Sequence, residues 1–172
     1  HNFFARGNLS IIGLLFAVTV QAATPTIRNV VPRGGQCGSS VEVTITGTYL
    51  SDTEEVFFHT PGIQAEKLIP DTDQRLKAIL KIAPDAKLGQ HEMRIRTASG
   101  ISTTKTFWVG PFPNVAEAEP NTEFDEAQAV PMNSTVNGVI TNEDVDYFEV
   151  EAKKGQQISV EIEAIRLSGA LF

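Results

Sequence analysis

Val41-Glu42-Val43-Thr44-Ile45-Thr46 decides the fold class, because apolar and polar residues alternate through it without a break. A period of two is typical of a strand that buries one face and exposes the other to solvent. The pattern returns at residues 75–82, where Leu76, Ala78, Leu80 and Ile82 share one face. Each of the two segments therefore predicts a half-buried strand.

Further short runs rich in Val, Ile, Thr and Phe lie on both sides of these two segments. Pro, Gly and Asp separate them, and the glycine-rich segment Arg33-Gly34-Gly35-Gln36-Cys37-Gly38-Ser39 is predicted to be a turn. The seven predicted strands fall at residues 26–31, 41–46, 56–59, 64–69, 75–82, 92–97 and 103–109. Their number and spacing favour a β-sandwich of immunoglobulin type over residues 24–110.

The start of this region also resembles a known family. The matching residues are Pro25-Thr26-Ile27-Arg28-Asn29-Val30-Val31-Pro32 followed by glycines, and Val41 to Thr46 followed by Gly47-Thr48-Tyr49-Leu50. They resemble the opening of an IPT/TIG-type immunoglobulin-like domain, over roughly residues 24–110. The resemblance implies a spacer or a module that binds protein or glycan, and it implies no catalytic residues.

A change of composition marks the end of the first module. Pro111-Phe112-Pro113-Asn114 restricts the backbone, and residues 111–116 are predicted to be a linker. Residues 24–112 carry ten Lys/Arg against nine Asp/Glu, whereas residues 113–172 carry three against twelve. The second region again reads as all-β, with strands predicted at 135–140, 146–151 and 157–165 and a short helical turn or loop at 124–130.

The second region resembles the bacterial pre-peptidase C-terminal (PPC) domain, a small β-sandwich related to collagen-binding domains. The matching elements include Glu117-Ala118-Glu119-Pro120-Asn121, Val136-Asn137-Gly138-Val139-Ile140, Asp144-Val145-Asp146-Tyr147-Phe148 and Gly155-Gln156-Gln157-Ile158. The resemblance implies a jelly-roll sandwich over residues 117–172. The family continues with further strands, so the chain is expected to stop inside this second module.

Two acidic clusters in this region are the candidate metal ligands. Glu117, Glu119 and Asn121 alternate along the chain, and Asp144 and Asp146 follow about twenty residues later. Ca²⁺ binds six to eight oxygen ligands, which carboxylates and amides supply. The resemblance implies a calcium site built from these five residues, although Thr122 stands where some family members have another acid. The alternative is a solvated acidic loop that keeps the protein soluble.

The N-terminus predicts export. Residues 1–22 combine Arg6, a mostly apolar run over residues 9–20 and a Val20-Gln21-Ala22 ending, which together are typical of a cleaved signal peptide. We therefore expect a secreted or cell-surface protein with no membrane span after cleavage. The one cysteine, Cys37, cannot form an intrachain disulfide and is expected to be a small residue in a turn.

The function predicted from these features is that of a non-catalytic, secreted binding or accessory module pair, monomeric within a longer chain, for a protein, polysaccharide or matrix partner. The alternative is an accessory region of a secreted peptidase whose catalytic domain lies outside the chain. The net charge of −7 argues against nucleic-acid binding. Five aromatic residues are candidates for a ligand groove or for the core, namely Phe57, Phe58, Phe107, Trp108 and Phe112.

Overall fold

The computed structural model of the protein describes residues 24–139 and 145–163. Nine strands form between residues 26 and 110. They are β1 Thr26–Val31, β2 Gly34–Gln36, β3 Ser40–Thr48, β4 Thr53–Phe58, β5 Ile63–Thr72, β6 Arg75–Ile82, β7 Gly89–Thr97, β8 Gly100–Ile101 and β9 Lys105–Gly110. The predicted signal peptide, residues 1–22, lies outside the described residues.

These strands make two facing sheets. The first sheet has the order β1-β3-β6-β5, and all its neighbouring strands are antiparallel. The second has the order β2-β9-β7-β4, with β8 paired to β7. In the second sheet β2 runs parallel to β9, and the other pairs are antiparallel. The chain therefore crosses from the edge of one sheet to the edge of the other between β1 and β2.

The core lies between the two sheets and is formed by the apolar residues of the alternating strands. Val43 and Ile45 of β3 are fully buried, as are Leu76, Ala78 and Leu80 of β6. The second sheet contributes Met93, Ile95, Phe107 and Val109 from β7 and β9. The predicted all-β sandwich is confirmed, since the described residues form strands, turns and one 3-10 helix but no α-helix.

The prediction of a turn across the glycine-rich segment is wrong for residues 34–36, which form β2. A Cβ on Gly34 would collide with the carbonyl oxygen of Trp108, and one on Gly35 would collide with the Ile82 side chain. Glycine at both positions lets β2 approach β9 and the core. Such a strand has no side-chain alternation from which it could be predicted.

Residues beyond 110 form shorter elements. They are β10 Asn114–Ala116, a 3-10 helix Phe124–Glu126, β11 Gln128–Ala129, β12 Thr135–Asn137 and β13 Phe148–Glu149. β10 pairs in parallel with β12, and β11 pairs in parallel with β13. The predicted linker therefore contains a strand. Gln36 Nε2 and Asn114 Nδ2 also donate hydrogen bonds across the junction, to Pro111 O at 3.2 Å and Gly34 O at 2.8 Å.

The strand predicted over residues 157–165 is wrong for its described part, residues 157–163, which form no strand. Its apolar residues are exposed, with Ile158 at 42%, Val160 at 80% and Ile162 at 78%. Alternation alone does not make a strand, because the backbone also needs a neighbouring strand for its hydrogen bonds. No strand of the described chain pairs with this segment.

Candidate metal centre

The pairing of β10 with β12 positions the first candidate ligand, Glu117. The backbone N–H of Glu117 donates to Asn137 O at 3.2 Å, and Glu117 Oε2 accepts a 2.7 Å hydrogen bond from the Val139 N–H. A Cβ on Gly138 would lie 3.0 Å from Glu117 Oε1. Glycine at 138 therefore leaves room for the half-buried Glu117 carboxylate beside the end of β12.

A backbone contact brings Asp146 of the second acidic cluster to the first cluster. The Tyr147 N–H donates to Asn121 O at 2.8 Å, and the Gln128 N–H donates to Tyr147 O at 2.9 Å. Asp146, next to Tyr147, is thereby held beside the Glu117–Asn121 segment. One carboxylate oxygen from each of Glu117, Glu119 and Asp146 lies within 4.8 Å of the other two.

This arrangement concentrates negative charge. Glu117 and Asp146 are half-buried and Glu119 is exposed, so solvent screens only part of the repulsion among the three carboxylates. A divalent cation between them would turn that repulsion into attraction. Hard oxygen donors of this kind suit Ca²⁺ or Mg²⁺, and the three residues could hold such an ion.

Asn121, in the same segment as Glu117 and Glu119, has a buried side chain. The residue is 0% exposed, yet neither Oδ1 nor Nδ2 of its side chain has a hydrogen-bond partner within the described structure. An unsatisfied buried amide costs roughly 1–3 kcal/mol, and so buried amides are normally paired. The Asn121 backbone N–H donates to Glu119 Oε2 at 3.2 Å, which ties this residue to the carboxylates.

The structure thus brings together Glu117, Glu119 and Asp146 of the five predicted ligands and buries Asn121 in the same segment. The fifth, Asp144, lies outside the described residues. Thr122 is exposed. The alternation of Glu117, Glu119 and Asn121 pointed to a shared direction, but it carried no signal that Asn121 would be buried, because it lies among charged and turn-forming residues.

The aromatic candidates divide between core and surface. Phe107 is fully buried, and Phe58 packs edge-on against it with ring centroids 5.8 Å apart. Phe57 and Trp108 alternate with buried neighbours and so face outward from the second sheet, and Phe112 is 40% exposed. Trp108 is the cross-strand partner of Gln90, and Phe57 is the partner of Arg94. One outer face therefore combines aromatic and polar side chains.

His91 and Cys37, the two other side chains that could ligate a metal or react, make hydrogen bonds within the first sandwich. His91 lies in β7 and is fully buried, with Nε2 2.6 Å from Lys87 O. Cys37 occupies the turn between β2 and β3, where Sγ donates to Pro84 O at 2.8 Å. Neither residue belongs to the acidic centre.

The site is that of an all-β protein with a three-carboxylate centre. No protein-family model matches the chain, and no curated protein matches it. Among solved structures it is similar to a Bacteroides ovatus mixed-linkage glucan utilization locus protein, SGBP-B, in complex with a mixed-linkage heptasaccharide. The identity is 14% and the TM-score 0.42, over 62% of this chain and 25% of that one. The chain thus spans about a quarter of that protein's length.

No helix in residues 24–139 or 145–163 has the length and hydropathy that a membrane span requires.

Proposed function

We propose that the protein is a secreted, non-catalytic binding protein in which residues 24–110 carry the ligand face and residues 117–172 form a calcium-stabilised accessory module. The observation that carries the calcium role is the group of three carboxylates beside the buried, unsatisfied Asn121. Calcium would neutralise the carboxylates and accept the amide oxygen as a further ligand. Residues 111–116 connect the two modules.

The resemblances to IPT/TIG-type and PPC domains fit this division. The two-sheet sandwich of residues 26–110 supports an immunoglobulin-like first module, and the short parallel pairs after residue 114 support a separate second module. On this proposal, bound calcium offsets the repulsion among the carboxylates of the second module. The folding stability of that module then depends on the ion.

The calcium role is tested by melting the purified protein with 1 mM CaCl₂ and with EDTA. Calcium at about a hundred times its Kd stabilises a site by about 2.7 kcal/mol, so we expect a melting temperature several degrees higher in calcium. The transition is followed by circular dichroism, with MgCl₂ and NaCl as controls. Superimposable curves in calcium and EDTA would rule the site out.

Asn121→Ala separates calcium ligation from ordinary packing. Without calcium the substitution removes an amide that has no partner, and therefore the melting temperature in EDTA should change little. With calcium the variant lacks one oxygen ligand, and most of the calcium-dependent rise should disappear. An equal loss in both conditions would mean that Asn121 serves only the packing of the second module.

The ligand face is proposed to be the outer surface of the second sheet, around Trp108, Phe57, Gln90 and Arg94. Aromatic faces flanked by a few polar groups are the surfaces that ligand sites use. We expect retention in affinity electrophoresis on at least one of a panel of neutral and acidic polysaccharides, and Trp108→Ala should reduce that retention about tenfold. Phe124→Ala is the matched control, because Phe124 is 83% exposed outside this face.

An absence of retention across the panel, or equal retention of the wild type and Trp108→Ala, would contradict a glycan-binding face. The peptidase alternative makes a different prediction, namely a catalytic domain encoded beyond the chain. Reading the rest of the open reading frame distinguishes the two. The purified protein itself should release no product from a fluorogenic peptide library.

A further inference from the structure

The Trp108 side chain of the proposed ligand face reaches the junction between the two modules. A Cβ on Gly110 would lie 3.8 Å from both Cδ1 and Nε1 of the Trp108 indole ring, and 3.5 Å from Oγ1 of Thr135. Thr135 begins β12 and belongs to the second module. The edge of the indole ring and the Thr135 hydroxyl group therefore lie beside the same point, although they come from different modules.

Both of these polar groups are available to a ligand. Trp108 and Thr135 are half-buried, and among the residues that the structure describes neither Trp108 Nε1 nor Thr135 Oγ1 has a hydrogen-bond partner. Neither atom is fully buried, so water or a ligand can reach both. An indole N–H only donates, whereas a hydroxyl group both donates and accepts. The pair therefore matches a ligand hydroxyl group that accepts from the indole and donates to the threonine.

A neutral sugar unit combines the groups that this junction requires. A pyranose ring carries neighbouring hydroxyl groups that donate and accept, and its C–H groups form an apolar face that packs on an indole ring. The charge of the second module argues against an acidic ligand, because residues 113–172 carry three Lys/Arg against twelve Asp/Glu. Like charges across an interface disfavour binding. The junction therefore fits a neutral polysaccharide better than an acidic one.

The short strand β12 connects this junction to the acidic centre. At its start, the Thr135 N–H donates to Pro113 O at 2.9 Å. At its end, Asn137 O accepts a 3.2 Å hydrogen bond from the Glu117 N–H. Just beyond the strand, the Val139 N–H donates to Glu117 Oε2 at 2.7 Å. The Glu117 carboxylate and the Thr135 hydroxyl group are therefore linked through one strand, over roughly 7 Å of extended backbone.

We propose that Trp108 and Thr135 form a binding subsite for a neutral sugar unit, and that calcium at the acidic centre raises its affinity. This inference rests on the proposed function and adds to it the ligand class and the regulation of the ligand face. Without calcium, repulsion among Glu117, Glu119 and Asp146 opposes the hydrogen bonds at the end of β12. With calcium, those bonds are stabilised and β12 keeps Thr135 beside Trp108. A sugar that contacts both residues then binds more tightly.

A purely structural role for Trp108 and Thr135 is to pack the junction between the modules. Thr135→Val distinguishes packing from ligand binding, because valine keeps the β-branched shape that suits a strand and loses only the hydroxyl group. Packing alone predicts that Thr135→Val leaves the affinity for sugar unchanged. The subsite predicts that it weakens binding, and that Thr135→Ser, which keeps the hydroxyl group, does not.

The first experiment is affinity electrophoresis on hydroxyethyl cellulose, glucomannan and dextran, with carboxymethyl cellulose as the acidic match of hydroxyethyl cellulose. We expect at least one neutral polysaccharide to retain the protein, and Thr135→Val to bind it about fivefold more weakly, since one hydrogen bond is lost. If Trp108→Ala weakens retention but Thr135→Val does not, the ligand face stands and the subsite is wrong. Stronger retention by carboxymethyl cellulose than by every neutral polysaccharide would also overturn the subsite, and no retention at all would contradict the ligand face itself.

Gly110→Ala tests the space between the two side chains. Its methyl group would be in ordinary van der Waals contact with Thr135 and Trp108, so the fold should tolerate it. The same group would crowd a hydroxyl group that bridges the two, and it should weaken retention about fivefold or more. Gly100→Ala is the matched control, because a Cβ there would lie 3.6 Å from Pro25 Cδ and would contact neither Trp108 nor Thr135. Equal retention of the two variants would contradict the subsite.

The calcium dependence of retention tests the coupling. Binding of the neutral polysaccharide should be about fivefold tighter in CaCl₂ than in EDTA, and Asp146→Asn should reduce this difference. The coupling is reciprocal, and therefore the polysaccharide should lower the calcium Kd of the wild type by the same factor in isothermal titration calorimetry. If calcium raises the melting temperature but leaves retention unchanged, the calcium role stands and the coupling is wrong. If calcium changes neither quantity, the calcium role itself fails.

Discussion

Phe107→Ala should lower the free energy of unfolding by about 3–5 kcal/mol, which is the range for truncating a buried phenylalanine. Phe107 is fully buried in β9, and its ring stacks edge-on against Phe58. Truncation loses the transfer free energy of the ring and leaves a cavity that two hydrogen-bonded sheets cannot collapse to fill. Urea unfolding followed by the fluorescence of Trp108, the single tryptophan, measures the change.

Phe112→Ala is the matched control. Phe112 is 40% exposed after the end of β9, and its truncation should change the unfolding free energy by less than about 0.5 kcal/mol. If Phe107→Ala leaves too little folded protein to measure, Phe107→Leu should give an intermediate loss of roughly 1–2 kcal/mol. Similar losses for Phe107→Ala and Phe112→Ala would mean that the core does not lie between the two sheets.

Asp146→Asn should weaken calcium binding about tenfold or more. The substitution keeps the shape of the side chain and one oxygen donor, but it removes one of the three charges that attract the ion. Calcium affinity depends strongly on the number of charged ligands. Isothermal titration calorimetry of the wild type and the variant measures the ratio of the two dissociation constants.

Glu126→Gln provides the same change of charge away from the centre. Glu126 ends the 3-10 helix and is exposed, and its carboxylate is not among the three grouped oxygens. Water and salt screen an exposed charge that does not contact the ion, so the control should bind calcium within about twofold of the wild type. If Glu126→Gln weakened binding as much as Asp146→Asn, calcium would be held by the general acidity of the second module rather than by a defined centre.

Much of the first sandwich follows from side-chain alternation. Residues 26–31 and 75–82 were predicted as strands and form β1 and β6 with those bounds. Alternation succeeds there because one face of each strand is buried and the other is solvated. It fails for β2, where two glycines carry no side chains to alternate. It also fails at residues 157–163, where the pattern is present but no described strand supplies backbone partners.

The acidic centre was only partly predictable. Local backbone geometry suggests that the side chains of Glu117 and Glu119 point the same way. The approach of Asp146, in contrast, depends on the hydrogen bond that the Tyr147 N–H donates to Asn121 O.

The parallel pairing of β2 with β9 has a mechanical consequence. β2 follows β1 near the start of the two-sheet sandwich, and β9, which ends at Gly110, is its last strand. When two parallel strands are pulled from opposite ends, the force runs along both strand axes and acts across their hydrogen bonds. Those bonds then carry the tension together instead of opening one after another. The two glycines that let β2 lie against β9 therefore also place this parallel pair between the two ends of the sandwich.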